Sequence, residues 1–309
     1  MANVTDGLLY QPREEMMVFT IVSVGSCCTF FYINCVLLFT LRSRPVFYET
    51  SRYILLFNLL LADTAQLTLS KILYLLAVCR IRLTLYLCGV LVMISVFMAP
   101  ISPLTLMVMS LERYVAVCFP LRHAEIVTIR NTAIAVKVIW AFSLVNILIR
   151  VFILLSLKHD ILPSRPMRDF CSKEALLLVP MSYHYDKAYS GFVFISVGMT
   201  IILSYIGVML VARSASTDKA SAIKAGKTLL LHLIQLGLIL ISTVYSVILT
   251  LFASTADRIL LVRLYSIFFV IFQIMPRCLS VLIYGLRDQT IRPVLMSYLR
   301  CLGCLRTFS

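Results

Sequence analysis

The sequence predicts an all-α membrane protein: a bundle of seven transmembrane helices with an extracellular N-terminus and a short cytoplasmic amphipathic eighth helix. Three observations lead there. Of 309 residues, 61% are hydrophobic and only 14% are charged, where a soluble domain carries about 25% charged residues. The apolar residues gather into long runs, at approximately 16–41, 53–79, 83–111, 132–157, 188–212, 228–256 and 264–286, and about 20 such residues in a helix cross a bilayer. Finally, the runs are continuous rather than alternating. They read as helices, which satisfy their backbone groups internally, and not as barrel strands.

The chain divides into an N-terminal segment (1–15), a transmembrane domain (16–286) and a cytoplasmic amphipathic helix and tail (287–309). The first apolar run, Met16 to Leu41, has 26 residues, too long for a signal-peptide h-region, so it is expected to stay as a span. Loops on one side of the bundle hold 14 Lys and Arg and those on the other hold 10. This bias places the N-terminus outside and the region around 113–130 in the cytoplasm. The sequon Asn3-Val4-Thr5 agrees, marking Asn3 for glycosylation on the outer side. The net charge of +14 is spread between spans rather than gathered into a patch, so it marks topology and not nucleic-acid binding.

Span three, Leu83 to Leu111, is an uncharged run of 29 residues interrupted by Pro100 and Pro103. Each proline removes a backbone donor, so this helix is expected to bend in its middle. Ionisable residues within the spans are Asp63, Lys71, Lys137, Arg150 and Arg277. Lys71, Lys137 and Arg150 stand close enough to span ends to snorkel to the headgroups. Asp63 and Arg277 lie mid-span, where a lone charge costs roughly 2.5–3.5 kcal/mol to insert, so a buried ion pair between spans two and seven is expected. The four histidines are scattered, and no metal-binding or hydrolytic motif is present. The chain is therefore read as no enzyme, with neither metal nor cofactor.

The most informative stretch follows span three: Met109-Ser110-Leu111-Glu112-Arg113-Tyr114-Val115-Ala116-Val117-Cys118-Phe119-Pro120-Leu121-Arg122-His123. A Glu-Arg pair at a water interface can hold itself closed by charge-assisted hydrogen bonds until a competing partner opens it. The string resembles the MAYDRYVAIC.PLRY signature of odorant receptors, a branch of the rhodopsin-like G-protein-coupled receptors. Lys224-Ala225-Gly226-Lys227-Thr228-Leu229-Leu230-Leu231-His232-Leu233 resembles a second string of that branch, KAFSTCxSHL, with Leu229 in place of its cysteine. Asn34, Asp63, Trp140 and Tyr205 match further landmarks of spans one, two, four and five. Pro276-Arg277-Cys278-Leu279-Ser280-Val281-Leu282-Ile283-Tyr284-Gly285-Leu286-Arg287 resembles PMLNPxIYSLR, but Ser280-Val281 replace the Asn-Pro and the upstream proline is one position early. With no proline in spans five and six either, the chain resembles a divergent, fish-type branch.

What the resemblance implies is a plasma-membrane chemoreceptor. A small, water-soluble odorant would bind between the helices and activate a heterotrimeric G protein of the olfactory stimulatory type. Glu112, Arg113, Tyr114, Tyr205, His232 and Tyr284 match the coupling and switch positions. Pocket positions carried over by their distance from those landmarks are Ser95, Val96, Ala99, Tyr189, Val193, Thr243, Val247, Val270 and Gln273. Cys88 lies 25 residues before Arg113, the family spacing for an extracellular bridge, which would run to Cys171. Cys79 is the competing partner. In the same frame, Ser102 and Ser280 fall beside Asp63, and Arg277 would take the place of the sodium ion common there; the rival reading turns Arg277 toward the hydrated ligand cavity, where it would bind an acidic odorant. Cys301 and Cys304 follow the basic stretch Leu286 to Arg300 and offer thiols for palmitoylation at the inner membrane surface. The alternatives are a rhodopsin-like receptor for a non-odorant small molecule and, further off, a small-solute transporter. The latter would show matched interrupted helices in two halves.

Overall fold

The computed structural model describes residues 13–43, 45–79, 81, 83–156, 171 and 180–214, with shorter pieces at 223, 226–231, 233–234, 237, 267, 271, 291–293 and 296–297. Among these residues the regular structure is helical, apart from a single bridge residue at Thr84. The helices are α1 (Arg13–Ser43), α2 (Pro45–Tyr48), α3 (Ser51–Val78), α4 (Leu85–Met98), α5 (Ile101–Cys118), α6 (His123–Ile126), α7 (Ile129–Ser156) and α8 (Pro180–Ser214), with a 3-10 turn at Pro120–Arg122. Among the described residues, five stretches are long and apolar enough to cross a membrane: Val24–Ser43, Ser51–Leu76, Tyr86–Cys118, Ile129–Ser156 and Met181–Val211. They correspond to the first five expected spans. Residues 226–231 are helical at the start of the expected sixth; the rest of it and nearly all of the seventh lie outside the described residues.

The chain forms two compact units, Met1–Thr40 with Ile234–Ser309, and Leu41–Leu233. In the first, Asn34 and Leu37 of α1 are buried. The core of the second is built on α3, whose Leu55, Leu56, Leu59, Leu60 and Leu67 are almost wholly enclosed. Leu106 of α5 and Val197 and Ile201 of α8 are equally buried. Outward faces are apolar too: Phe152, Leu155, Ile195 and Leu203 are all largely exposed. In water such a surface would aggregate, and in a bilayer the lipid covers it.

Local chemistry explains the helix ends and the polar residues inside them. Thr84 caps α4 by accepting the Leu87 N–H at 3.4 Å. Thr128 caps α7 by accepting the Asn131 N–H at 3.1 Å. Within the spans, Thr64, Thr68, Thr105, Ser143 and Thr200 each donate to the carbonyl four residues back, at 2.7–3.0 Å. A hydroxyl satisfied by its own helix can sit in an apolar environment.

Span three is interrupted once, at Ala99-Pro100 in its middle, where a bend was expected, and two boundaries differ markedly from those read by hydropathy. Pro103 is the third residue of α5, where its missing donor is among those a helix start leaves unbonded anyway. The same span continues through Glu112-Arg113-Tyr114 to Cys118, so these residues ride on helix rather than in a loop. Span five begins at Pro180, eight residues before the expected 188. Proline suits a first helical position, and the charged Asp186 is accommodated inside the helix because it is paired, as described next.

Candidate functional site

At the cytoplasmic end of α5, Arg113 Nε lies 3.1 Å from Glu112 Oε2, with the two side chains 21% and 10% exposed. Adjacent helical residues do not normally face one another, so this pair closes by wrapping its long side chains. Beside it, Tyr114, Val117 and Cys118 of α5 and Tyr205 of α8 pack around the fully buried Val208 and Leu229. Leu229, the residue that replaces the family cysteine, thus belongs to the small core that both motif tyrosines pack against. The approach of α5 to α8 depends on a missing side chain. A Cβ on Gly207 would collide with Tyr114 Cε2 and come within 3.1 Å of its Cδ2. Tyr114 also meets Phe119 edge-on, their ring centroids 5.9 Å apart.

Mid-bundle, polar side chains link spans two, three and four. Ser102 Oγ donates to Asp63 Oδ1 at 2.6 Å, and both residues are buried. One helical turn toward the cytoplasm, Trp140 Nε1 donates to Asn58 Oδ1 at 2.8 Å, and Asn58 Nδ2 donates to Thr105 Oγ1 at 2.8 Å. Gln66 Nε2 donates to Ser95 Oγ at 3.0 Å, so the third-span serine carried over as a pocket residue already serves a contact with span two. Asn58 and Gln66 were not singled out by sequence. Their polarity within the apolar run of α3 is the signal that marks them, since a polar side chain in a membrane needs a partner.

Toward the extracellular side, Cys88 and Cys171 are joined by a disulfide, with Cα atoms 5.5 Å apart, while Cys79 is free. The bridge ties position 171 to the first turn of α4. Of the carried-over pocket positions, Ser95, Val96 and Ala99 lie at the end of α4 and at the break after it, Ala99 being exposed. Tyr189 and Val193 lie one turn apart on α8, and Val193 is buried. The Tyr189 ring lies against α7, stacked on Phe142 at 5.7 Å and on Tyr185 at 6.1 Å.

Arg150 does not snorkel. It is 6% exposed and places Nη2 2.7 Å from Oδ1 of Asp186, itself equally buried. Its Nε donates to Asn146 Oδ1 at 3.1 Å, and the guanidinium carbon stands 5.2 Å from the Tyr185 ring centroid. The reason is energetic: an acid within reach on α8 and an amide one turn back satisfy the guanidinium where it stands. Lys71 is buried as well, its Nζ 4.5 Å above the Tyr74 ring. Lys137 alone of the three is exposed. Asn3, His232, Thr243, Val247, Val270, Gln273, Arg277, Tyr284, Cys301 and Cys304 lie outside the described residues. Among the described residues, no group of His, Cys, Asp and Glu could hold a metal ion.

Over residues 33–305 the chain matches the family described as 7 transmembrane receptor (rhodopsin family). It is 32% identical over 275 residues to odorant receptor 131-2 of zebrafish (Danio rerio), covering 87% of this chain and 82% of that protein. To human olfactory receptor 8A1 it is 28% identical over 201 residues, covering 63% of this chain and 59% of that protein.

Proposed function

This chain belongs to the rhodopsin family of seven-transmembrane receptors, and from that premise we infer that it is an odorant receptor, a multi-pass chemoreceptor of the plasma membrane and not an enzyme. The observation that carries the reading is the 32% identity, sustained over 87% of the chain, to a zebrafish odorant receptor. Its ligand is a small molecule and its partner a heterotrimeric G protein. The finer reading, an olfactory stimulatory G protein and a water-soluble odorant, rests on the resemblance in the two cytoplasmic motifs.

The physical requirement on the ligand is modest. To move a receptor from 1:99 to 99:1 in favour of the active state, it must bind that state better by about 5.5 kcal/mol. Ser95, Val96, Ala99, Tyr189, Val193, Thr243, Val247, Val270 and Gln273 are the proposed contacts, mostly apolar with a few polar anchors. Ser95 stands where amine receptors carry a third-span acid, which disfavours a simple amine. In the active state Arg113 leaves Glu112 for the G protein, supported by Tyr205 and Tyr284, with His232 at the start of span six. Asp63 and Arg277 are proposed as a buried pair that stabilises the bundle without sodium.

The test is a cyclic-AMP screen of cells expressing the receptor against a panel of water-soluble odorants, with Arg113→Ala as control. A saturable response that Arg113→Ala abolishes at equal surface expression is expected. Flux of the compound itself, insensitive to Arg113→Ala, would make the protein a transporter.

A further inference from the structure

A hydroxyl inside a span ordinarily donates to a carbonyl of its own helix. Thr64, Thr68, Thr105, Ser110, Ser143 and Thr200 all do so, at 2.7–3.0 Å. Ser102 donates instead to Asp63 Oδ1 at 2.6 Å. Ser95 does neither. Its Oγ accepts from Gln66 Nε2 at 3.0 Å, and it makes no other hydrogen bond among the described residues. A hydroxyl carries one hydrogen to donate, and that of Ser95 is uncommitted.

Gln66 is 8% exposed, and its Oε1 is buried without a partner. Turning the amide over would give Oε1 the serine hydrogen but leave both N–H groups orphaned in an apolar interior. An orphaned N–H is rarer in buried protein than an under-used carbonyl oxygen, so the amide stays with Nε2 toward Ser95.

The surroundings of Ser95 decide whether its hydrogen can serve a ligand. Ala99 and Pro100 keep right-handed helical dihedrals, so the helical register runs through the break in span three. Ser95, Ala99 and Ser102, at i, i+4 and i+7, therefore share one face. Both serines on that face reach α3, through Gln66 and Asp63. Ser95 is nevertheless only half-buried, and Ala99 is exposed. Open space thus borders the serine on the face it turns toward span two.

We propose that Gln66 is a positioning residue for ligand recognition. It holds Ser95 as a hydrogen-bond donor, so that the site takes a neutral odorant with a carbonyl group: a ketone, an aldehyde or an ester. This rests on the reading of Ser95 as a ligand contact. A carbonyl oxygen accepts the serine hydrogen and brings no hydrogen of its own to satisfy. A matched alcohol can accept the same hydrogen, but its own hydroxyl hydrogen then needs an acceptor, and Ser95 Oγ already accepts from Gln66.

The experiment is a cyclic-AMP dose–response in cells expressing the full chain. The probes are pairs of one carbon skeleton: cyclopentanone with cyclopentanol, cyclohexanone with cyclohexanol, and benzaldehyde with benzyl alcohol. The carbonyl compound of a pair should be about three- to tenfold more potent, the difference expected of one net hydrogen bond. Gln66→Met keeps the length of the side chain and removes the amide. Ser95 then turns to its own helix like the other hydroxyls, and the preference should fall below about twofold at equal surface expression. A merely structural role for Gln66 would shift both members of a pair together. Alcohols as potent as their carbonyl partners, or no carbonyl compound active, would overturn the proposal in the parent receptor alone, whatever the expression of the variant. A preference unchanged by Gln66→Met would overturn it as well. Ser95→Ala separates the two readings. If it leaves carbonyl potency unchanged, Ser95 is no contact and the pocket assignment itself fails. If it lowers carbonyl potency while Gln66→Met keeps the preference, only the role of Gln66 fails.

Discussion

Two ion pairs toward opposite ends of the bundle show how burial decides what a pair is for. Glu112 and Arg113 are neighbours in sequence, partly exposed, and bridged by one contact of 3.1 Å. Arg150 and Asp186 are 36 residues apart, equally buried, and held by a 2.7 Å contact together with Asn146 and two tyrosine rings. A pair with access to water contributes little net stability and exchanges partners easily. A buried pair is costly to break, because the abandoned charge is left without solvent. The first therefore suits a switch and the second a staple between α7 and α8.

The largest expected effect follows from the staple. Arg150→Gln or Asp186→Asn alone should cost about 3–5 kcal/mol of stability, seen as a lower melting temperature of purified receptor and loss of surface expression. The double change Arg150→Met with Asp186→Leu should recover most of it. If the single variants are no worse than Glu112→Gln, the contrast between the two pairs fails.

Next in size is Gly207→Ala. The added methyl meets Tyr114, and overpacking of this kind costs about 1–3 kcal/mol. Because the clash lies at the α5–α8 contact, it should alter cyclic-AMP coupling more than ligand potency. A Gly207→Ala, Tyr114→Ala double variant should restore the packing, and failure to do so would place the strain elsewhere. Smaller still is the switch itself. Glu112→Gln releases a pair worth about 0–1 kcal/mol, so basal cyclic AMP should rise by no more than about fivefold. A larger rise would mean that the pair is more deeply locked than its exposure implies.

The Asp63–Arg277 proposal is checked by the same logic mid-bundle. Asp63→Asn or Arg277→Gln alone should reduce surface expression, and the double variant should recover much of the loss. A double variant equal to the sum of the singles would dissolve the proposed pair, leaving Asp63 with the Ser102 contact seen here.

Transmembrane character and the helical bundle were legible in the sequence, because the bilayer demands long apolar helices. The same held for the cytoplasmic motif, since Glu112, Arg113 and Tyr114 are adjacent in the chain and need no fold to bring them together. Partnership across the chain was not legible. Hydropathy puts Asp186 in a loop and lets Arg150 reach for the headgroups; only their approach across α7 and α8 turns both inward, since in a low-dielectric interior a charge goes where its partner is. Asn58, between Phe57 and Leu59 in α3, gives no sign of serving both Trp140 and Thr105. Gly207 likewise matters only for a ring 93 positions away in the chain, the Tyr114 side chain, which lies too close to its Cα to admit a Cβ. Composition and periodicity decide which face of a helix meets lipid, but the identity of the side chain on the neighbouring helix, and so which polar group finds a partner, exists only once the helices have packed.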